Sequence, residues 1–146
     1  QVKIHKEIPF HPNIAAFECA WIEDRSLYMQ MELCDNSLDG YWKTVGSLSE
    51  EDLRAVLVDS LMAIDHLNQS GIVHLDIKEA NILRNKDGRY KLTDFSVTCY
   101  LNKVKPHDEF GDGKYAAPEV LQHTVTYKAD IFSLGITLAQ VCYISS

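Results

Sequence analysis

His74-Leu75-Asp76-Ile77-Lys78-Glu79-Ala80-Asn81 sets an imidazole, a carboxylate, an ammonium and an amide within one short stretch, with apolar Leu75 and Ile77 between them. Eighteen residues beyond Asp76 stands Asp94-Phe95-Ser96, and Ala117-Pro118-Glu119 follows further along. Taken singly, each piece has an ordinary structural reading. Asp76 is then a turn residue, Lys78 a surface lysine, Asn81 a cap and Asp94 a hairpin end, since short motifs recur by chance. Their order and spacing in one chain carry the meaning.

Working outward, Ile82-Leu83 and Tyr90 to Leu92 flank Lys86-Asp87-Gly88-Arg89, a hairpin signal. Upstream, Ser49 stands three residues before Asp52, and Glu50, Glu51 and Asp52 crowd what reads as a first helical turn. Leu53, Val56, Leu57, Leu61, Ile64 and Leu67 then recur at helical spacing as a core-facing stripe, with Gly71 as the expected stop. A short helix is expected from Ser37 to Lys43. Two strands are expected over Ala16 to Ile22 and Ser26 to Met31, joined at Glu23-Asp24-Arg25. His11-Pro12-Asn13 is a turn cluster. From Ile131 to Ser146 no residue is charged, and Ser133, Gly135, Thr137 and Gln140 interrupt the run. At about 24 Å as a helix it falls short of a bilayer core, so it reads as a buried helix. Helices with a few short hairpins give an α+β segment.

The 146 residues would suit about one domain of ordinary size. Hydrophobic residues at 46% and charged residues at 24% exclude a disordered or collagen-like chain. Fourteen Lys and Arg against twenty-one Asp and Glu, a net charge of −7, argue against a nucleic-acid partner. Cys19, Cys34, Cys99 and Cys142 form no C-x-x-C pair, which excludes a zinc ribbon and suits a reducing, intracellular compartment. No basic leader with an apolar core opens the chain, so no signal peptide is expected.

In their order and spacing the three motifs resemble the signature set of the eukaryotic protein kinases. The resemblance covers essentially the whole chain and implies a partial kinase-like fold. Residues 1–31 would be a remnant of the small lobe, 32–36 the hinge, and 37–146 the large lobe up to its central helix. A whole kinase domain needs roughly 250 residues, so the chain reads as the middle of one. The resemblance implies ATP and Mg²⁺ as cofactors. Phosphoryl transfer rests on positioning and charge neutralisation. Asp76 would accept or orient the proton of the incoming hydroxyl, and Lys78 would sit near the transferring phosphoryl group. Asn81 and Asp94 would hold Mg²⁺ with hard oxygen ligands. Met31 falls at the gatekeeper, Glu32-Leu33-Cys34 at the hinge that meets adenine, and Leu83 at the floor of the adenine pocket. His74 would stack on Phe95, and Asp130 would anchor the catalytic loop.

Lys78 and Asn81 follow the serine/threonine arrangement. His-Leu-Asp, the Gly111-Asp112 pair, Glu32-Leu33-Cys34 and Ala20-Trp21 are similar to the Wee and Myt kinases, the Myt type sharing the D-F and A-P-E motifs as well. That likeness implies inhibitory phosphorylation of a cyclin-dependent kinase on Thr and Tyr, in control of mitotic entry. It also implies a cytoplasmic or nuclear protein, with any tether to ER or Golgi membranes lying outside this segment. Leu75 replaces the usual Arg, which would hold an activation-segment phosphate. Ser96, Thr98, Tyr100 and Tyr115 are the only hydroxyls between Asp94 and Glu119. Both facts argue against activation by loop phosphorylation.

Some positions depart from the kinase pattern. The glycines stand at 40, 46, 71, 88, 111, 113 and 135, so no G-x-G-x-x-G loop is present. Gln1 falls where the αC Glu is expected, Ser96 replaces the Gly of D-F-G, and Glu79 stands where Pro is common. Gln1 and Ser96 keep open an alternative, a pseudokinase that binds or scaffolds without catalysis.

Overall fold

The computed structural model describes residues 2–104 and 110–143. Its first helix, α1 (Val2–Glu7), is followed by a turn in which the Ile14 N–H donates to the His11 carbonyl at 3.1 Å. Strands β1 (Phe17–Glu23) and β2 (Ser26–Met31) pair antiparallel, closing at Glu23↔Ser26. Asp24 (φ 48°) and Arg25 (φ 64°) are both left-handed, the two-residue turn whose twist matches that of the strands. Trp21 and Tyr28 stack across the pair at 5.4 Å.

A three-stranded sheet follows, ordered β3 (Asn36–Ser37), β5 (Ile82–Arg84), β6 (Tyr90–Leu92). The β5–β6 turn falls where the sequence places it. Asn85 Oδ1 accepts from Asp87 N and Arg89 N, and Gly88 takes φ +79°. Helix α2 (Leu38–Val45) starts one residue later than expected because Ser37 caps it, its hydroxyl accepting from Gly40 N at 3.1 Å. Helix α3 (Glu50–Gln69) is capped by Ser49, which accepts from Asp52 N at 3.0 Å and donates to Asp52 Oδ2 at 2.8 Å.

The stripe of α3 differs from expectation. Val56, Ser60, Ala63, Ile64 and Leu67 are buried against β6 and the last helix, whereas Leu57 and Leu61 are each 38% exposed. A 3.6-residue repeat allows both sets, and the direction of packing picks the first.

One further pairing was not expected. β4 (Ile72–Val73) and β7 (Cys99–Tyr100) run antiparallel, which returns the chain beyond Asp94 to the start of the Asp76 loop. Helix α4 (Pro118–Leu121) begins with Pro at a position where the missing N–H costs nothing. Helix α5 (Lys128–Tyr143) starts ahead of the uncharged run and buries one side only: Leu134, Thr137 and Val141 face in, while Ile131 and Phe132 are exposed. The core is shared by α2, α3, the sheet, the segment after β4 and α5, through Leu38, Ile64, Ile77, Ile82, Leu92 and Leu134. Among the described residues, no helix is long and apolar enough to cross a membrane.

Candidate active site

The Asp76 loop runs from β4 to a single 3₁₀ turn (Glu79–Asn81). It is pinned from beneath by Asp130 in the first turn of α5, whose two carboxylate oxygens accept from His74 N (2.8 Å) and Leu75 N (2.9 Å). Burial raises the Asp130 carboxyl above the usual carboxylate range, opposed by the neighbouring His74 side chain and the two N–H donors. These bonds support Leu75 in the left-handed region (φ +66°), a conformation costly for a residue with a branched side chain. The Leu75 side chain packs with Val73, Ala117, Val120 and Ala129. An apolar packing role thus occupies the position where an arginine was expected from the family pattern.

His74 is fully buried and uses both ring nitrogens. Nδ1 accepts from Asp76 N at 3.2 Å, so Nε2 carries the proton and donates to the Thr93 carbonyl at 3.0 Å. The ring meets Phe95 at 4.9 Å, the contact the kinase resemblance implied, but tilted by 54° rather than stacked. Phe95 in turn receives the edge of His5 at 4.9 Å, and His5 stacks on Phe17 at 5.8 Å. This column joins α1 and β1 to the Asp76 loop, and His5 was not singled out from sequence.

Asp76 lies at the centre. Lys78 Nζ stands 3.0 Å from Oδ1 and 2.9 Å from Oδ2. Asn81 Nδ2 donates to Oδ2 at 2.7 Å and to the Asp76 carbonyl at 2.9 Å. Asp112 N donates to Oδ1 at 3.0 Å. Asp76 is 8% exposed, so these partners fix its carboxylate in a nearly dry setting. Gly111 packs so close that a Cβ there would lie 2.4 Å from Asp76 Oδ1. The sequence flagged Gly111-Asp112 by position but gave it no role. Its signal is a glycine shortly before Ala-Pro-Glu.

Asp94 also takes a left-handed backbone (φ +61°), and its Oδ1 accepts from Ser96 N at 3.2 Å. Ser96 itself has an ordinary negative φ, so this conformation needs no glycine there. Both side-chain hydrogen bonds of Asn81 among the described residues use Nδ2, which leaves its side-chain Oδ1 for a ligand, and Asp94 keeps a second carboxylate oxygen. Two hard oxygen donors fit a Mg²⁺ ion completed by phosphates and water. Among the described residues, no cluster of three His, Cys, Asp or Glu stands ready to hold a metal alone.

The residues expected at the adenine pocket lie at the end of β2 and on β5. Ser37 pairs with Leu83, and Asp35 N donates to the Arg84 carbonyl at 2.9 Å, which sets the loop after Met31 beside Leu83. Glu32 is engaged twice over. Its N–H donates to Ala16 O, and its carboxylate takes Ala16 N and a 2.7 Å ion pair with buried Lys91. Among the described residues, its N–H and carboxylate are thus engaged. Burial, and then the Glu32 charge, push the Cys34 thiol up. Gln1 lies outside the described residues.

The protein kinase domain family matches residues 1–145. The chain belongs to the protein kinase family. Among curated relatives, it is 43% identical over 143 residues to the membrane-associated tyrosine- and threonine-specific cdc2-inhibitory kinase wee-1.3 of Caenorhabditis elegans, covering 96% of this chain and 21% of that kinase. It is 38% identical over 146 residues to the Drosophila melanogaster kinase of the same description, covering 98% of this chain and 27% of the relative. The mitosis inhibitor protein kinase wee1 of Schizosaccharomyces pombe is 36% identical over 143 residues, covering 94% and 16%. The likeness to Wee and Myt kinases therefore holds, and the chain spans about a quarter or less of the length of these three relatives.

Proposed function

We propose that the whole protein transfers the γ-phosphate of ATP to a protein hydroxyl, Ser/Thr with Tyr as a further acceptor, and that its target is a cyclin-dependent kinase held back from mitosis. The observation that carries this is the Asp76 carboxylate, fixed by Lys78, Asn81 and Asp112 N in a nearly dry loop. A carboxylate held this way can take the proton of an incoming hydroxyl without reorganising. Lys78 supplies positive charge beside it. Asn81 and Asp94 would hold Mg²⁺, which neutralises phosphate charge when bound. Met31, the Glu32 carbonyl, Cys34 and Leu83 would frame the adenine of ATP. In this reading, residues 1–31 belong to the small lobe, 32–36 to the hinge and 37–146 to the large lobe. The names of the worm and fly relatives support the choice of target and a membrane-associated site in the cell, with any tether outside this segment.

The pseudokinase alternative rests on Gln1 and on Ser96, which takes no left-handed backbone here. Transfer of labelled phosphate from ATP to a cyclin-dependent kinase, full-length protein against Asp76→Asn, separates the two. The variant is expected to lose at least a hundredfold in rate, because removing a positioned base costs that much. Equal labelling by both proteins would overturn the enzyme reading.

A further inference from the structure

Glu79 stands where kinases commonly carry proline, and the catalytic roles above do not use it. It opens the 3₁₀ turn directly after Lys78, and its Oε1 accepts from Tyr115 Oη at 2.8 Å. Tyr115 is 5% exposed and lies three residues after Asp112, whose N–H is bonded to Asp76. The far side of Tyr115 is held too: its carbonyl accepts from Ser133 Oγ at 2.8 Å, and Lys114 Nζ reaches Gln140 Oε1 at 3.1 Å, both partners lying on α5. Burial and the neighbouring Glu79 push the Tyr115 phenol well above its ordinary range, which keeps it a donor. Among the described residues Glu79 Oε2 is buried without a partner, and the carboxylate directs its hydrogen bond to this phenol.

The geometry points to Glu79 as a positioning residue that latches the Gly111–Tyr115 segment over Asp76. In many kinases a phosphate bound by arginine orders the corresponding segment. Here Leu75 has no charge to offer, and a carboxylate–phenol bond between neighbouring loops supplies the order instead. The latch makes the arrangement of Asp76, Gly111 and Asp112 independent of phosphorylation. This rests on the kinase reading for its effect on rate but not for its effect on structure.

Two readouts on the full-length protein test it, with Glu79→Ala, Glu79→Gln, Tyr115→Phe and the Glu79→Ala/Tyr115→Phe double variant. Hydrogen exchange of the Gly111–Tyr115 amides should quicken about tenfold in Glu79→Ala and in Tyr115→Phe, as expected for losing a bond to a charged group. The double variant should be no worse than either single one, and Glu79→Gln, which keeps an acceptor, should recover most of the protection. Phosphate transfer should fall in parallel through kcat, with KM for ATP unchanged. Unchanged exchange overturns the latch whatever the activity. Faster exchange with unchanged kcat overturns the positioning role. Faster exchange in a protein that transfers no phosphate leaves the latch standing and sinks the kinase reading instead.

Discussion

At Gly111 an added carbon would lie 2.4 Å from Asp76 Oδ1, 2.6 Å from the Leu75 carbonyl oxygen and 2.7 Å from Asp76 Cβ. None of these atoms sits at the far end of a flexible side chain. Two belong to the residue whose placement matters most, and the third to a backbone held left-handed by Asp130. Relief must therefore come from moving Asp76 or from lifting the Gly111-Asp112 backbone, and the second course breaks the Asp112 N–H bond to Asp76. Overpacking of this sort costs about 1–3 kcal/mol. Gly111→Ala is expected to lower kcat roughly 10- to 100-fold in the full-length protein and to lower its unfolding stability by about 1–3 kcal/mol. An unchanged kcat would show that Asp76 does not depend on this contact.

Among the elements, α5 has the largest influence on the site through one side chain. Asp130 reaches back over 56 positions to His74 and 55 to Leu75. Asp130→Ala leaves two N–H groups unpaired, each worth about 1–3 kcal/mol when buried. It also removes the support for Leu75 at φ +66°. A loss of about 2–5 kcal/mol in urea unfolding of the full-length protein is expected, with Asp130→Asn about half as costly because one acceptor remains. A shift below about 0.5 kcal/mol, ordinary for a surface substitution, would refute the anchoring role. The elements legible from sequence are those with local signals. Ser49 and the acidic turn after it mark the start of α3, and Gly88 marks the β5–β6 turn. Strands β3, β4 and β7 were not legible, because two residues show no alternation and their partners are far along the chain. The same applies to the site. Asp76, Lys78 and Asn81 declare themselves by spacing, whereas the contact of Asp112 with Asp76 exists only once the chain has folded back.

At the scale of the whole molecule, two sets of apolar side chains stand open, one on the β1–β2 hairpin and one on α3 and α5. On the β1–β2 hairpin, the cross-strand pair Ile22 and Leu27 is 77% and 55% exposed on one face. On α3, Val58 and Met62 are nearly half exposed, as is Ile131 on α5. A soluble monomer rarely carries contiguous apolar patches of this kind without something to cover them. The 146 residues taken alone are therefore expected to self-associate, with a mass by light scattering well above 16.6 kDa. Substituting Ile22 and Leu27 by Lys, or Val58 and Met62 by Lys, should lower that mass in proportion to the share of each face. The same isolated chain should transfer no phosphate from ATP. Asp76, Asn81 and Asp94 are all present in it, but none of its seven glycines forms the G-x-G-x-x-G loop that covers the phosphates in protein kinases. A monomer of 16.6 kDa would show that the open faces need no cover. Measurable transfer by that chain would show that the Asp76 loop can hold the nucleotide without a phosphate loop.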